Sequence, residues 1–263
     1  MTFAEAALLG LIQGLAEWLP VSSEGVLTAV QSLAFGDSLT DAVNFSLWLH
    51  IGTALSALAA LRTDVWDVLR NVVSRPTAPS PITAYLVVAT ISSAPIGFLL
   101  LTGLFEFSER VGAAAMVVVG VLMLVTGALL LRSRSSGTRT RDDVRWPDAV
   151  LTGIAQGLAA LPGLSRSGLT VGVLLWRGVD RREALILSFL LSVPASLGAG
   201  LYAAISAGYY ASPQAAVALA VSAVTGFATI RALMAVGRRL NFGWFVLLMG
   251  AAIVAGAALT VMN

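Results

Sequence analysis

The chain has 263 residues, of which 57% are hydrophobic and only 11% are charged, and its mean hydropathy is +0.88. This balance is far from that of soluble proteins and predicts a membrane protein. The absence of Cys excludes disulfides and thiolate chemistry, and a single His argues against a zinc site of the usual kind. All basic residues are Arg, and most lie between apolar segments, where topology signals are found. We therefore expect the bilayer as a partner, no nucleic acid and no organic cofactor.

The first apolar region, residues 4–35, is predicted to be a re-entrant helical hairpin. A helix needs about 20 apolar residues to cross the hydrocarbon layer, and this region holds two shorter apolar segments around a Ser-rich break. Irregular backbone at membrane depth is tolerated only where protein buries it or where it lines a wet cavity, so the hairpin tip should face such a cavity. Three apolar runs of spanning length follow, near residues 43–61, 83–104 and 111–131.

The second half of the chain has the same order of segments. A polar stretch, residues 132–147, predicts a cytoplasmic linker, and residues 148–176 predict a second re-entrant hairpin. Spans are then expected near residues 184–206, 214–236 and 243–261.

A repeated motif supports two copies of one unit. The sequence GLIQGLA at residues 10–16 recurs as GIAQGLA at residues 153–159. A hairpin does not cross the bilayer and three spans is an odd number, so the second copy must be inverted. The predicted fold class is an all-α polytopic membrane protein with two inverted repeats, residues 1–131 and 148–263, each a re-entrant hairpin plus three transmembrane helices. The two hairpin tips are expected to meet.

The distribution of arginines predicts the orientation in the cell membrane. Only Arg110 lies on the side from which the first hairpin opens. The opposite loops carry Arg62, Arg70, Arg75, Arg132, Arg134, Arg139, Arg141, Arg145, Arg177, Arg181, Arg182, Arg238 and Arg239. The positive-inside rule places these loops in the cytoplasm, so both termini and the mouth of the site are expected to be extracytoplasmic.

The first tip contains two carboxylates, Glu17 and Glu24, within a short apolar segment. A charged residue at the centre of a membrane helix costs about 2.5–3.5 kcal/mol on insertion scales, so each needs a function or a partner. The structural alternative is a helix break in which Ser22 or Ser23 caps the second arm and Glu24 favours its N-terminus. That alternative does not account for Glu17, which precedes the break.

The second tip combines Ser165, Arg166, Ser167 and Gly168 at the start of a predicted helix. Backbone N–H groups at a helix N-terminus bind anions, and the guanidinium fork matches phosphate. At membrane depth the anion would be a lipid phosphate. The alternative is that Arg166 only neutralises a buried glutamate. Outside the tips, His50 lies in mid-span, where a neutral His satisfied by a neighbouring helix is a better expectation than a catalytic base.

The two tips carry a family resemblance. The sequence QGLAEWLPVSSEG at residues 13–25, PGLSRSG at 162–168 and SFLLSVP at 188–194 resemble the undecaprenyl-diphosphate phosphatases of the bacitracin-resistance type. The resemblance implies hydrolysis of a polyprenyl (undecaprenyl-type) diphosphate to the monophosphate and inorganic phosphate, recycling a lipid carrier of cell-wall or glycan synthesis. It places the catalytic residues at Glu17, Ser23 and Arg166.

The chain departs from the family pattern at three positions of the first tip. Gln13 stands where the family usually has Glu, Glu24 replaces a common Thr, and Val26 replaces the family His. The chain therefore resembles a divergent member of this family, one that lacks the motif His. Because Val26 cannot accept a proton, Glu17 is the predicted base, ahead of Glu24.

The remaining expectations concern ligands. Substrate-binding residues are predicted to be Ser22, Glu24, Gly25, Ser165, Ser167, Gly168 and Thr170. Glu17 and Glu24 offer the hard oxygen ligands that a divalent cation, Mg2+ or Ca2+, prefers. A polyprenyl-phosphate flippase or secondary transporter without hydrolysis is the alternative, since inverted repeats with broken helices are common in transporters. Whether the chain forms a homo-oligomer stays open.

Overall fold

The computed structural model of the chain describes residues 1–111, 115–132, 137–209, 212–236 and 243–262, and these ranges contain eleven α-helices. The helices are α1 Phe3–Ala16, α2 Ser23–Ala29, α3 Leu39–Ala60, α4 Arg62–Ser74, α5 Pro81–Val111, α6 Ala115–Arg132, α7 Trp146–Leu158, α8 Arg166–Trp176, α9 Arg181–Ala207, α10 Pro213–Val236 and α11 Gly243–Met262. A π-helical segment, Val30–Phe35, continues α2, and a short 3-10 turn, Arg141–Asp143, precedes α7.

Four of the described helices are long and apolar enough to cross a membrane, namely α3, α5, α9 and α10. The other two predicted spans correspond to α6 and α11, whose described apolar stretches are shorter, Met116–Leu129 and Val246–Ala258. The prediction of an all-helical, multi-pass membrane protein is confirmed. Within the predicted linker and loops, residues 133–136 and 237–242 lie outside the described residues.

The two broken apolar regions form pairs of short helices. In the first, α1 ends at Ala16 and α2 begins at Ser23; in the second, α7 ends at Leu158 and α8 begins at Arg166. Each arm is shorter than the length of about 20 residues that spanning requires. The breaks lie where the sequence predicted them, beside Pro20 and Pro162.

Glycine pairs explain why one heptapeptide occurs twice. Helix α1 packs along α10, and α7 packs along α5. A Cβ on Gly14 would lie 1.8 Å from Thr225 Oγ1, and one on Gly153 would lie 2.5 Å from the carbonyl oxygen of Ala89. Both heptapeptides therefore act as small-xxx-small motifs, which let membrane helices approach closely.

Helix α3 lies at the centre of the bundle, where it packs against both α9 and α10. Its middle turns are buried, and they include the polar residues Ser46, His50 and Thr53. Polar groups are costly within a membrane helix unless they have partners in the protein interior. The fold thereby carries a His from a spanning helix into the interior, next to the hairpin tips.

Helix α4 was missed in the sequence analysis. It has no buried residue, and Trp66, Leu69 and Val73 are exposed along it at helical spacing. A search for apolar runs of spanning length overlooks such a helix, because its polar face lowers the average hydropathy. An amphipathic helix of this kind between two spans is typical of the membrane interface.

A buried ion-pair network joins the linker to the second hairpin. The Asp148 carboxylate accepts hydrogen bonds from Arg139 Nη2 at 2.7 Å, Arg177 Nε at 2.6 Å and the Arg145 backbone N–H at 2.9 Å. Burial alone would raise the pKa of Asp148, but the hydrogen bonds from Arg139 and Arg177 outweigh burial and lower the pKa from 3.8 to about 2. The network fixes the start of α7.

Replacing Asp148 by Asn is expected to lower the stability of the protein by about 2 kcal/mol, since hydrogen bonds between charged groups are lost. The folded-state pKa is lowered, so this contribution is present above about pH 4, the range of an unfolded Asp, and is lost as the pH falls toward 2. Thermal unfolding in detergent micelles measures it. The control is Asp142→Asn, at an exposed position four residues before α7 begins. Equal unfolding temperatures of the two variants would contradict the prediction.

Candidate active site

Each hairpin tip begins its second helix with the same serine cap. Ser22 Oγ accepts the N–H of Gly25 at 3.0 Å, and Ser165 Oγ accepts the N–H of Gly168 at 3.1 Å. Serine is favoured at this position because its hydroxyl satisfies a backbone donor that the helix leaves unpaired. As a result, Ser23 and Arg166 occupy equivalent positions, each the first residue of a helix.

The two tips are in direct contact. The Gly163 N–H donates to Ser22 Oγ at 2.9 Å, and Ser167 Oγ donates to the carbonyl oxygen of Leu19 at 2.6 Å. A Cβ on Gly25 would lie 3.1 Å from the nitrogen of Gly163, so a side chain there would crowd the approach. The tips therefore meet as the sequence predicted, and side chains from both reach one place.

The carboxylate of Glu17 is the centre of that place. Its Oε1 accepts a hydrogen bond from Arg166 Nη2 at 2.5 Å, while Oε2 accepts one from Ser23 Oγ at 2.6 Å and one from Gln13 Nε2 at 3.0 Å. The Glu17 side chain is only 3% exposed. The three residues implied by the family resemblance, Glu17, Ser23 and Arg166, thus share one carboxylate.

Arg166 is held in a defined orientation. Besides its bond to Glu17, its Nη1 donates to the carbonyl oxygen of Ser188 at 3.3 Å, and its guanidinium carbon lies 5.6 Å from the ring centroid of Trp18. An arginine placed on an aromatic face and bonded at two nitrogens loses little freedom on binding a ligand. Its other N–H groups are available for an anion.

The departure at residue 13 fits this geometry. Gln13 donates its amide N–H to Glu17, so it stabilises the carboxylate without adding a second negative charge beside it. Among the described residues Glu24 forms no salt bridge with an arginine; His50 Nε2 lies 3.7 Å from its Oε1, and its side chain is 14% exposed. The two carboxylates of the first tip therefore have different environments: Glu17 accepts hydrogen bonds from three side chains, whereas Glu24 lies beside His50 and is more exposed.

His50 is the site residue that sequence reasoning undervalued. Its Nε2 lies 3.4 Å from Glu17 Oε2 and 3.7 Å from Glu24 Oε1, and its Nδ1 lies 2.7 Å from the carbonyl oxygen of Ser46. The sequence analysis expected a His satisfied by a neighbouring helix; in the structure its Nδ1 contacts a carbonyl of its own helix and its Nε2 faces both tip carboxylates, while its role stays a prediction. The sequence signal that points to His50 is its position as an ionisable residue inside a span, which by default marks a functional site.

Most of the predicted substrate ligands already make bonds within the protein. Ser22, Gly25, Ser165 and Gly168 form the two caps. Ser167 bonds Leu19, as described above, and Thr170 Oγ1 donates to the Arg166 carbonyl at 2.8 Å and contacts Ser188 Oγ at 2.7 Å. Ser22 and Ser167 join the two tips, and the role of all these groups in binding substrate stays a prediction.

Two adjoining cavities surround the site. The first, called here the polar pocket, is small and is lined by Glu17, Val21, Ser22, Ser23, Glu24, His50, Ala159, Leu164 and Arg166. The second, called here the apolar cavity, has a volume of about 360 Å3 and is lined mainly by apolar side chains of α5 and α9, among them Phe98, Leu101, Pro194, Ala199 and Tyr202. Glu24, His50, Ala159 and Arg166 line both. The polar pocket and the apolar cavity thus share four lining residues, an arrangement that suits a ligand with a charged head and a hydrocarbon chain.

The residues do not form a metal centre of their own. Both oxygens of Glu17 are engaged by donors, and one donor is the cation Arg166, which would repel a metal ion. Within the described ranges no group of three or more His, Asp or Glu side chains is arranged to hold a metal. The proposed Glu17 and Glu24 pair does not fit a protein-built cation site, and no step below is derived through one.

Comparison with known proteins agrees with the geometry. Residues 6–256 match the family described as Bacitracin resistance protein BacA. A protein of Methanococcoides burtonii named undecaprenyl-diphosphatase is 36% identical over 256 residues, covering 95% of this chain and 96% of that protein. Proteins of the same name from Methanothrix thermoacetophila and Haloarcula marismortui are 39% and 40% identical, covering 95% and 92% of this chain and the same shares of those proteins. The chain therefore belongs to the bacitracin resistance family, and Glu17, Ser23 and Arg166 lie within its matched residues.

Proposed function

We propose that the chain hydrolyses a polyprenyl diphosphate of the undecaprenyl type to the monophosphate and inorganic phosphate, which recycles a lipid carrier for cell-wall or glycan synthesis. The observation that carries the proposal is the shared Glu17 carboxylate, which holds a hydroxyl and a guanidinium at the edge of an apolar cavity. The relatives named undecaprenyl-diphosphatase support an enzyme over the transporter alternative.

Each of the three residues has a step in the proposed reaction. Arg166 binds the terminal phosphate and neutralises the charge on its oxygens, with a guanidinium that α8 and Trp18 already orient. Glu17 takes the proton of the nucleophile, because its Oε2 already accepts the Ser23 hydroxyl at 2.6 Å. Either Ser23 Oγ or a water that it positions attacks the terminal phosphorus. Phosphoryl transfer depends mostly on such positioning and charge stabilisation.

The substrate is proposed to lie across the two cavities. The terminal phosphate occupies the polar pocket and the first part of the prenyl chain occupies the apolar cavity, so the oxygen that bridges the two phosphorus atoms lies near Glu24 and Arg166, which line both. The diphosphate brings its own oxygen ligands, so a divalent cation bound through the substrate stays a prediction that activity with and without chelator tests.

The inverted-repeat topology is part of the proposal. Its support is the reciprocal packing, since the first arm of each hairpin lies along the second span of the other half, α1 on α10 and α7 on α5. With the arginine-rich loops in the cytoplasm, the termini and the mouth of the polar pocket are extracytoplasmic. Labelling of single-cysteine variants in intact cells with a membrane-impermeant reagent tests this orientation. Thr2→Cys should react and Arg75→Cys should not.

Ser23→Ala is expected to lower phosphate release from undecaprenyl diphosphate by about 100-fold or more, because either the nucleophile or the group that positions it is removed. Phosphate release by the purified protein in detergent micelles measures it. The matched control is Ser32→Ala in the same hairpin, whose hydroxyl is buried without a hydrogen-bond partner and whose loss should leave the rate unchanged. Transport of the lipid without phosphate release by the wild-type protein would replace this proposal with the transporter alternative.

A further inference from the structure

His50 presents one defined nitrogen to the site. The carbonyl oxygen of Ser46 can only accept a hydrogen bond, so the contact of 2.7 Å requires the proton on Nδ1. The nitrogen that faces Glu17 and Glu24 is then Nε2. Without a proton on Nε2, three acceptors would face one another at 3.4 and 3.7 Å. A proton on Nε2 turns both contacts into attractive ones, so the arrangement is built to hold a proton there.

The position of His50 matches one particular bond of the substrate. The terminal phosphate belongs in the polar pocket and the prenyl chain in the apolar cavity, so the bond that breaks lies where the two compartments join. Among the described residues, Glu24, His50, Ala159 and Arg166 line both compartments. Arg166 stays charged and Ala159 has no proton to give, which leaves His50 and Glu24 as donors. Of these two, His50 is the one whose donor atom is fixed by the structure, because the contact of Nδ1 with the Ser46 carbonyl turns Nε2 toward the site.

We infer that His50 is the general acid of the reaction, whose Nε2–H protonates the bridging oxygen as the bond from that oxygen to the terminal phosphorus breaks. The inference rests on the proposed function and adds a catalytic residue to it. It also accounts for Val26, since that side chain packs in an apolar cluster with Met116 and Val119, and the imidazole comes from a spanning helix instead.

The proton balance of the step closes within the site. The attacking oxygen forms a bond to phosphorus and gives its proton to Glu17 Oε2, while the bridging oxygen takes the Nε2 proton and leaves as part of the polyprenyl monophosphate. Glu17 then returns a proton to Nε2 across the contact of 3.4 Å. When Ser23 is the attacking group, water cleaves the phosphoserine, its oxygen entering inorganic phosphate and one proton returning to Ser23 Oγ.

Among the described residues, charged and titratable groups face His50 from several neighbouring elements. Glu17 follows α1, Glu24 lies on α2 and Arg166 lies on α8, while Tyr202 of α9 lines the apolar cavity with it. From α10, the uncharged Ser222 hydroxyl donates to the carbonyl oxygen of Leu49 in α3. A pH dependence measured at this site therefore reports the group formed by His50 and the two carboxylates.

The test compares two substrates with different leaving groups in the purified protein. One is undecaprenyl diphosphate; in the other, a difluoromethylene group replaces the oxygen between the prenyl chain and the first phosphorus, so the departing phosphonate is a weaker base and needs less protonation. His50→Gln is expected to lower kcat/KM about 100-fold on the diphosphate and at least tenfold less on the analogue. Thr53→Val, a buried polar change one turn along α3, is the control and should match the wild type on both.

A second measurement needs no variant. General-acid catalysis predicts that kcat/KM of the wild-type protein falls at alkaline pH on the diphosphate and falls much less on the analogue. Equal losses on the two substrates in His50→Gln, or equal pH profiles in the wild type, would overturn the role of His50 while leaving the proposed function intact. A wild-type protein that releases phosphate from neither substrate would overturn the proposed function itself and the inference with it.

Discussion

Arg166→Lys is expected to lower phosphate release by about 100-fold or more while the protein folds normally, as is usual when one donor to a developing negative charge is removed. Arg166 bonds Glu17 and the Ser188 carbonyl through two nitrogens and lies over Trp18. The lysine ammonium is a point charge that cannot reproduce a planar fork with donors in several directions. Because α8 begins at residue 166, either long side chain is tolerated by the helix, so the change reports on the site.

The measurement is phosphate release from undecaprenyl diphosphate, with thermal unfolding recorded on the same samples. Arg182→Lys is the matched control, since the Arg182 side chain is 53% exposed and approaches Glu183 only at 3.9 Å. Exposed ion pairs contribute little, so this variant should equal the wild type in both measurements. Near-wild-type release by Arg166→Lys would show that Arg166 serves only as the counter-ion of Glu17.

Glu17→Gln is expected to abolish turnover, with a loss of about 1000-fold, whereas Glu24→Gln should cost about tenfold. Glu17 Oε2 accepts the Ser23 hydroxyl, so the amide keeps the shape of the side chain but cannot take the proton. Glu24 makes no contact with Ser23 among the hydrogen bonds of the described residues, and its neighbour is His50. Removing the negative charge from the partner of Arg166 should keep or strengthen phosphate binding.

Turnover of the two variants measured side by side, together with binding of the undecaprenyl monophosphate product, separates the outcomes. Loss of turnover with retained binding in Glu17→Gln assigns the base to Glu17. The opposite ranking of the two variants would move the base to Glu24. Loss of binding in Glu17→Gln would mean that its carboxylate is needed to hold Arg166 in place.

Much of the site was predictable because placing its charged residues in a membrane costs free energy. Glu17 and Arg166 are charges in short apolar segments, and such residues need partners or a function wherever the chain folds. Ser23 was identified only through the family resemblance, since Ser22 and Ser23 are equivalent as candidate caps in the sequence. Their contacts distinguish them: Ser22 caps α2 and Ser23 bonds Glu17.

One residue of the site, His50, lies outside the family motif. From the sequence, the nearest replacements for the missing His are the carboxylates close to Val26 in the chain, so Glu17 and Glu24 are the candidate bases there. His50 is 24 positions further along and belongs to α3, which no short motif connects to the tip. Only the packing of α3 beside the hairpins brings its ring to Glu17.

The amino-acid sequence by itself determined that this is an all-helical multi-pass membrane protein with two broken hairpins. The reason is that hydropathy and helix length are local properties, and they decide whether a segment can cross the bilayer. Its repeated heptapeptide also marked two equivalent arms, although their use of Gly14 and Gly153 as contact points with α10 and α5 depends on which helix each one meets. Tertiary structure alone decided which carboxylate receives Ser23 and Arg166, that His50 joins them, and that a polar pocket adjoins an apolar cavity. The physical reason is that hydrogen bonds reach only about 3 Å, so these choices follow from the packing of helices far apart in the chain.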